Sequence, residues 1–273
     1  MKTANSILSN NLGLWWTKTP TFQGHKVGCF SVPETAEDLR KAETKLRSQG
    51  CTIAIGPMEG NTWRIHRAVI ESDNSRSFPL EPQTTREVAE LLEREHYEIL
   101  ANYSSAKVDL TSHSPDLSRL RKRLASVNIR ILNMTDLDEE LAAIYRLSAS
   151  AFRDNFLYTD ISKSEFITQY TAFRSHLTSG SAFLAEDKGK LVGFVFGYPD
   201  QDRFIVKTVA VLPNRIYAGL GTVLVDKIQS NAQSEGFKTA IHALQREDNQ
   251  SLRISKRFDA TIFRRYALFA KTL

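Results

Sequence analysis

Apolar and polar residues change period along the second half of the chain, and this change predicts its elements. IVKTVAVL, residues 205–212, is an apolar and β-branched run that is typical of a buried strand. Pro213 ends the strand, because proline has no N–H to donate to a neighbouring strand. In the segment TVLVDKIQSNAQSEG that follows, Leu224, Ile228 and Ala232 are four residues apart, which predicts the buried face of a helix.

The residues before this strand predict the rest of an α+β domain. VNIRILNM predicts a strand, and DLDEELAAIYRLSASAF and SEFITQYTAFRSHL predict two helices separated by the irregular segment 153–162. SAFLAEDKGKLVGFVFGY predicts a hairpin, because a polar DKGK turn separates two apolar runs. Strand, two helices, hairpin, strand, helix, strand, helix and final strands form a layered α+β order.

The first half of the chain predicts a similar set of elements. GHKVGCFSV predicts a strand that Pro33 ends, and residues 34–49 predict a helix with Leu39, Ala42 and Leu46 on one face. The glycine of SQG ends this helix, and CTIAIGP predicts the next buried strand.

The two halves share a sequence pattern. KAETKLRSQGCTIAIGPMEGNTW aligns with KIQSNAQSEGFKTAIHALQREDNQS, and Asn61 aligns with Asn249 after a gap of two residues. The alternative is chance, since helix ends and buried strands use the same few residues. We predict a duplication, with a first domain at 1–110, a connecting segment at 111–126 and a second domain at 127–273.

A glycine-bearing loop joins the strand at 205–212 to its helix. The free N–H groups and the dipole of a helix N-terminus favour phosphate, and Gly219 and Gly221 let the backbone approach it. A GxG loop also occurs as a plain turn. In the first half, PETAEDLRK has no glycine and places Glu34, Glu37 and Asp38 near the helix start, where carboxylates repel phosphate. The first copy is therefore predicted to be degenerate.

VAVLPNRIYAGLG, with EGFKTAIHAL, Asn249 and FDATIFRRYALFAKTL, resembles the GNAT superfamily of acetyl-CoA-dependent N-acetyltransferases. The resemblance covers residues 127–273 in the order of their elements. It implies a mixed α/β three-layer fold of the acyl-CoA N-acyltransferase type, with a central mixed sheet flanked by helices, here in two similar domains. One position departs from the family: Ile216, with Arg215 beside it, stands where an Arg or Gln is expected.

The resemblance also implies the residues that bind acetyl-CoA as the acyl donor. Loop amides grip the diphosphate, the splayed end of the central strand offers an N–H to the thioester carbonyl, and the Asn flanks the pantetheine arm. The predicted cofactor-binding residues are Val209, Ala210, Val211, Ile216, Tyr217, Ala218, Gly219, Leu220, Gly221, Thr222 and Asn249.

The chemical step requires a neutral amine and a proton for the departing thiolate. Many family members have a Tyr seven or eight residues after the Asn, where this chain has Lys256 and Arg257. A hydroxyl can relay a proton through water, although its pKa is less suited than that of a phenol. The predicted catalytic residues are Asn249, Ser255 and Tyr158, and Asn249 is also a predicted N-cap.

No general base is predicted, because several candidates remain open. The carboxylates expected near the cleft are Asp160, Glu186, Glu247 and Asp248, and His242 lies on a predicted strand. A lone His on a strand is more often an interior residue, and a water chain can also remove the proton.

Composition and charge narrow the classes of ligand and partner that the protein is expected to bind. The net charge of +5 is compatible with an anionic cofactor. The basic run 119–123 has no interleaved aromatic residues, so we predict a solvated helix face and no nucleic acid. The chain has no run of eighteen apolar residues, no signal peptide pattern and two cysteines without metal spacing, which predicts a cytoplasmic protein without membrane or metal binding.

The sequence favours two functions and disfavours a third. The first is an acetyl-CoA-dependent N-acetyltransferase that acts on an amine-bearing small molecule or peptide, as a monomer or dimer. The second is a non-catalytic module that binds acyl-CoA or a partner. A dinucleotide or S-adenosylmethionine enzyme is disfavoured, because its GxG loop would follow the first strand.

Overall fold

The computed structural model describes residues 4–8, 11–112, 115–172, 174 and 177–273. Its strands are β1 (Ser6–Ile7), β2 (Gly13–Trp15), β3 (Thr21–Phe22), β4 (His25–Phe30), β5 (Ile53–Gly56), β6 (Ala68–Ser72), β7 (Glu98–Asp109), β8 (Asn128–Ile131), β9 (Ala182–Asp187), β10 (Lys190–Asp200), β11 (Arg203–Val211), β12 (Thr239–Arg246) and β13 (Thr261–Thr272). Its helices are α1 (Ala36–Ser48), α2 (Arg86–Arg94), α3 (Ser118–Arg123), α4 (Leu137–Ala151), α5 (Lys163–Ala172), α6 (Leu220–Ser234) and α7 (Gln250–Arg257).

The chain divides into two compact units. Unit 1 comprises Met1–Ser104, Asn155–Thr159 and Phe263–Leu273, and unit 2 comprises Ser105–Asp154 and Asp160–Ile262. This division differs from the predicted boundaries, because β13 pairs with β5 and β6 and so belongs mainly to unit 1. In the predicted connecting segment and second helix, residues 113–114, 173 and 175–176 lie outside the described residues.

Unit 1 is built on a parallel strand–helix–strand unit. β4 and β5 are parallel, with Val27 opposite Ile53, and α1 connects them. The three residues predicted on the inner face of α1 are fully buried, in a core that also includes Phe30 and Phe269. β13 runs antiparallel to β5, and the short strands β1 and β2 extend the sheet beyond β4.

Unit 2 contains the predicted central mixed sheet. β8, β9, β10 and β11 pair antiparallel in that order, and β12 then pairs parallel to β11, with Arg203 opposite Thr239. α6 connects β11 to β12, and its predicted inner face of Leu224, Ile228 and Ala232 is fully buried. The predicted mixed α/β fold, with a central mixed sheet and flanking helices, is confirmed. Among the described residues, no helix is long and apolar enough to span a bilayer.

A buried ion pair holds β13 within unit 1. The guanidinium of Arg264 donates to both carboxylate oxygens of Glu81, at 2.7 and 2.8 Å, and Tyr266 donates to the same carboxylate. The exposed fractions of Arg264 and Glu81 are 5% and 1%. Phe78 N–H donates to Glu81 at 3.0 Å, and Arg264 also donates to Ser72 Oγ at 3.1 Å and to the Ser75 carbonyl. Both charges are thus desolvated and depend on each other.

Replacing Arg264 by Met should lower the free energy of unfolding by about 3–5 kcal/mol, because Glu81 would remain buried without its cation. Arg265→Met is the matched control, since Arg265 pairs with the exposed Glu71 at 3.2 Å and should cost less than about 1 kcal/mol. Urea unfolding of both variants tests this difference, and equal losses would contradict it.

Candidate active site

The central strand of unit 2 loses one neighbour partway along its length. β11 pairs with β10 as far as Val211, opposite Gly193, whereas its register with β12 ends at Val206, opposite His242. The β10 register shifts between Phe196 and Gly197, which leaves Lys207 as the extra residue of a β-bulge. The predicted splay is therefore present, and residues 207–211 lie beyond the β12 register. The roles of Val209, Ala210 and Val211 in binding the thioester stay a prediction.

The loop after β11 takes a conformation that requires glycine. A single 3₁₀ turn, Arg215–Tyr217, leads to Gly219, which is the N-cap of α6 with φ of +85°. A Cβ at Gly219 would lie 2.8 Å from Leu120 Cδ2, closer than carbon atoms approach each other. Thr222 N–H donates to the Gly219 carbonyl at 3.1 Å and begins the helix.

The backbone N–H groups of the loop divide into two sets. Those of Ile216, Tyr217 and Ala218 donate to oxygen atoms of Asn214 and Arg215, at 3.0 to 3.1 Å. Three further N–H groups have no acceptor within the described chain, and they belong to Gly219, Leu220 and Gly221. These three consecutive donors stand at the positive end of α6, which is an arrangement that binds anions.

Gly221 brings the loop close to the end of β11 and to α7. A Cβ at this position would lie 3.2 Å from Ile254 Cδ1, 3.6 Å from Val209 Cγ2 and 3.8 Å from Val211 Cγ2. The predicted diphosphate loop and the predicted thioester strand therefore lie side by side in unit 2.

The Tyr217 side chain braces the loop against β9. Its hydroxyl donates to Asp187 Oδ2 at 3.0 Å. Burial and this hydrogen bond to a carboxylate raise the pKa of the Tyr217 phenol above its ordinary value. The Tyr217 hydroxyl is thus bonded to Asp187. The residue therefore contributes by fixing the shape of the loop.

Asn249 is the N-cap of α7, as predicted. Its side-chain oxygen accepts a hydrogen bond from Gln250 N–H at 2.6 Å, and the residue is exposed. The predicted contact with the pantetheine arm is compatible with this cap, because an amide oxygen has two lone pairs and the amide NH₂ is a separate donor.

Ser255 lies in a buried hydrogen-bond network. Its hydroxyl is 2.7 Å from His242 Nδ1, accepts from Gln245 Nε2 at 2.6 Å and donates to the Ser251 carbonyl at 3.3 Å. His242 Nε2 lies 3.0 Å from Gln229 Nε2. The exposed fraction of Ser255 is 1%, and burial lowers the pKa of His242 to about 4. His242 is therefore a neutral interior residue at pH 7.

Tyr158, the third predicted catalytic residue, belongs to unit 1. Its ring packs edge-on against Trp63, with centroids 6.1 Å apart, and Trp63 Nε1 donates to the Thr159 carbonyl at 2.8 Å. Asn249 and Ser255 belong to unit 2, so the predicted catalytic residues are divided between the units.

Two of the carboxylates considered as bases are paired with arginines. Glu186 accepts from Arg130 at 2.9 Å, and Arg130 also binds Glu140 at 2.6 Å. Asp248 pairs with Arg246. Each of these two carboxylates is already bonded to a guanidinium, so neither offers a distinct base.

One residue near the loop was not predicted. Arg123, at the end of α3, donates to the Ala218 carbonyl. Its basic run was visible in the sequence, but 95 residues separate it from Ala218 and no local pattern links them.

Acidification should destabilise the protein through His242. The unfolded chain, with an ordinary histidine pKa of 6.5, binds the proton more tightly than the native state. The contribution of His242 to the free energy of unfolding is therefore fully present above pH 6.5, and the free energy of unfolding falls by about 3 kcal/mol as the pH approaches 4. Urea unfolding across this range tests the slope. His242→Gln should flatten it, and the partly exposed His25 serves as control through His25→Gln. An unchanged slope in His242→Gln would contradict the assignment.

Comparison with known proteins finds a family match that lies mostly within unit 2. Residues 141–254 match the model of the acetyltransferase (GNAT) family. A GCN5-related N-acetyltransferase from Sphaerobacter thermophilus superposes with a TM-score of 0.59 at 12% identity, over 96% of this chain and 76% of that chain. A tandem GNAT protein from the clavulanic acid biosynthesis pathway superposes with a TM-score of 0.54 at 13% identity, over 91% and 76%.

At these identities the two structures are similar to this chain in fold alone. No curated protein sequence matches the chain. The family match covers the strand, the loop and α6, where the free amides lie. The chain therefore carries a domain of the acetyltransferase (GNAT) family at residues 141–254.

Proposed function

We propose that the chain is an acetyl-CoA-dependent N-acetyltransferase that transfers the acetyl group directly from the thioester to an amine. The observation that carries this proposal is the set of three unpartnered N–H groups at Gly219, Leu220 and Gly221, beside the splayed end of β11. The same part of the chain matches the GNAT family.

The residues present fit acetyl-CoA as the acyl donor. The three amides and the dipole of α6 suit a diphosphate, and the lack of a Cβ at Gly219 and Gly221 allows close approach. The backbone at Val209–Val211 lies outside the β12 register, where an N–H can stabilise the oxyanion that develops on the thioester carbonyl. The predicted donors at Ile216, Tyr217 and Ala218 would act by shaping this loop.

The reaction needs few side chains. The amine nitrogen attacks the thioester carbonyl carbon, the C–S bond breaks, the nitrogen loses a proton and the thiolate gains one. Asn249, Ser255 and Tyr158 remain our candidates for catalysis. Ser255 would act as a positioning residue through His242 and Gln245, because its hydroxyl is buried and bonded to both.

The first copy is proposed to be degenerate, within the predicted domains 1–110 and 127–273. α1 and α6 each connect two parallel strands. Each is followed by a glycine with positive φ, which is Gly50 after α1 and Gly236 after α6. At the start of α1, however, Thr35 and Asp38 form a capping box, with bonds of 3.0 and 3.1 Å. The buried Asp38 carboxylate occupies the place where a phosphate would bind.

A non-catalytic acyl-CoA-binding module is the second candidate, favoured by the lack of a phenol at Lys256 and Arg257. Both candidates predict binding, so turnover separates them. The acceptor is proposed to be an amine-bearing small molecule or peptide.

Calorimetric titration with acetyl-CoA should give one site per chain. Gly219→Ala should weaken binding about tenfold, because the new Cβ would lie 2.8 Å from Leu120 Cδ2 and 3.1 Å from Arg123 Nη2, so these side chains must shift against the loop. Gly236→Ala, at the other end of α6, is the control: its φ of +96° carries the same backbone strain, but no atom lies within 4 Å of the new Cβ. Equal affinity in both variants would contradict the loop assignment, and two sites would contradict a degenerate first copy.

Release of the CoA thiol, followed with a thiol reagent over a panel of primary amines, should exceed the rate without amine. Tyr158→Phe and Asn249→Ala should each lower kcat by at least about tenfold if they contact the reacting groups. Saturable binding without thiol release from any amine would favour the binding module instead.

A further inference from the structure

The proposed diphosphate site lacks a basic side chain at the usual loop position. Ile216 stands there, with 59% of its surface exposed and its N–H bonded to Asn214. Three amides and a helix dipole face an anion that carries two charges, so a cation from elsewhere in the chain would strengthen the site.

α3 is held in a fixed position against the start of α6. Arg121 Nη2 binds the buried Asp226 Oδ2 at 2.5 Å. Leu124 is buried in the core of unit 2, and Leu120 packs against that core beside Gly219. The contacts of Leu120 and Arg121 in α3, and of Leu124 at its C-cap, therefore fix the end of the helix that carries its last residue.

That last residue is Arg123, and its guanidinium lies at the loop. Its Nη2 donates to the Ala218 carbonyl and would lie 3.1 Å from a Cβ at Gly219. Arg123 is exposed, and its other N–H groups have no partner within the described chain. Arg121 differs, because Asp226 occupies it. A guanidinium has five N–H donors, so Arg123 can hold Ala218 and a phosphate together.

We propose that Arg123 binds the diphosphate of the acyl-CoA and replaces the basic residue missing from the loop. This inference rests on the proposed function. It assigns a ligand contact to α3, which precedes the first strand of the predicted second domain. The diphosphate is favoured over the 3′-phosphate because Arg123 lies at Ala218 and Gly219, next to the free amides.

The test compares Arg123→Gln with Arg119→Gln by calorimetry. Gln removes the charge and, because its side chain ends two bonds short of Nη2, also withdraws the donor from the Ala218 carbonyl, so the ionic-strength measurement below separates loss of the charge from a shift of the loop. Arg119 lies on the same helix, is exposed and makes no hydrogen bond or ion pair within the described chain. Arg123→Gln should weaken acetyl-CoA binding about tenfold to a hundredfold, and Arg119→Gln should change it less than twofold.

Two further measurements exclude other sources of a loss. Dephospho-CoA, which lacks the 3′-phosphate, should lose affinity for Arg123→Gln by the same factor as CoA. The dependence of log Kd on ionic strength should flatten in Arg123→Gln and persist in Arg119→Gln, which a merely structural role would not produce. Arg215→Gln, in the loop itself, should have less than a threefold effect.

Unchanged affinity in Arg123→Gln, a loss for CoA but not dephospho-CoA, or a larger loss in Arg215→Gln would each overturn the assignment while leaving the proposed function intact. The native chain is titrated first, and its failure to bind acetyl-CoA would overturn both.

Discussion

The separation of β11 from β12 is the constraint on which the rest of unit 2 depends. A strand inside a sheet normally uses the N–H and C=O groups of both edges. β11 does so as far as Val206, and the bulge at Lys207 then rotates its backbone while β10 keeps one edge paired. Residues 208–211 therefore stay paired with β10 along one edge, whereas their other edge lies beyond the end of the pairing with β12. The loop and α6 follow directly, so one strand positions both the proposed diphosphate site and the proposed thioester site.

The elements that carry this arrangement could be predicted from the sequence because their signals are local. The apolar run at 205–212 became β11, and the four-residue spacing of Leu224, Ile228 and Ala232 became the buried face of α6. Gly219 was identified for its lack of a Cβ, and the structure adds a positive φ and the contact with Leu120. The N-cap role of Asn249 was equally local.

Other features could not be predicted, because they depend on residues distant in sequence. The pairing of β13 with β5 and β6 places the last strand mainly in unit 1, and nothing near Phe263 in the sequence indicates this. The hydroxyl of Ser255 was considered as a proton relay, whereas its burial with His242 depends on β12 and α6 together. The side chain of Asn214 accepts a hydrogen bond from one loop N–H, and backbone carbonyls accept from two more. The glycine pattern does not reveal which loop N–H groups are bonded in this way.

The position of β13 has a consequence for the order in which the protein can fold during synthesis. β4, α1 and β5 leave the ribosome early, but the antiparallel neighbour of β5 is not made until after residue 263. The carboxylate of Glu81 likewise waits for Arg264, which lies 183 residues later. In unit 2 the strands β8 to β12 pair without β13, and Arg121 waits a shorter 105 residues for Asp226. The half of the chain that is translated first is thus the half that completes its core last.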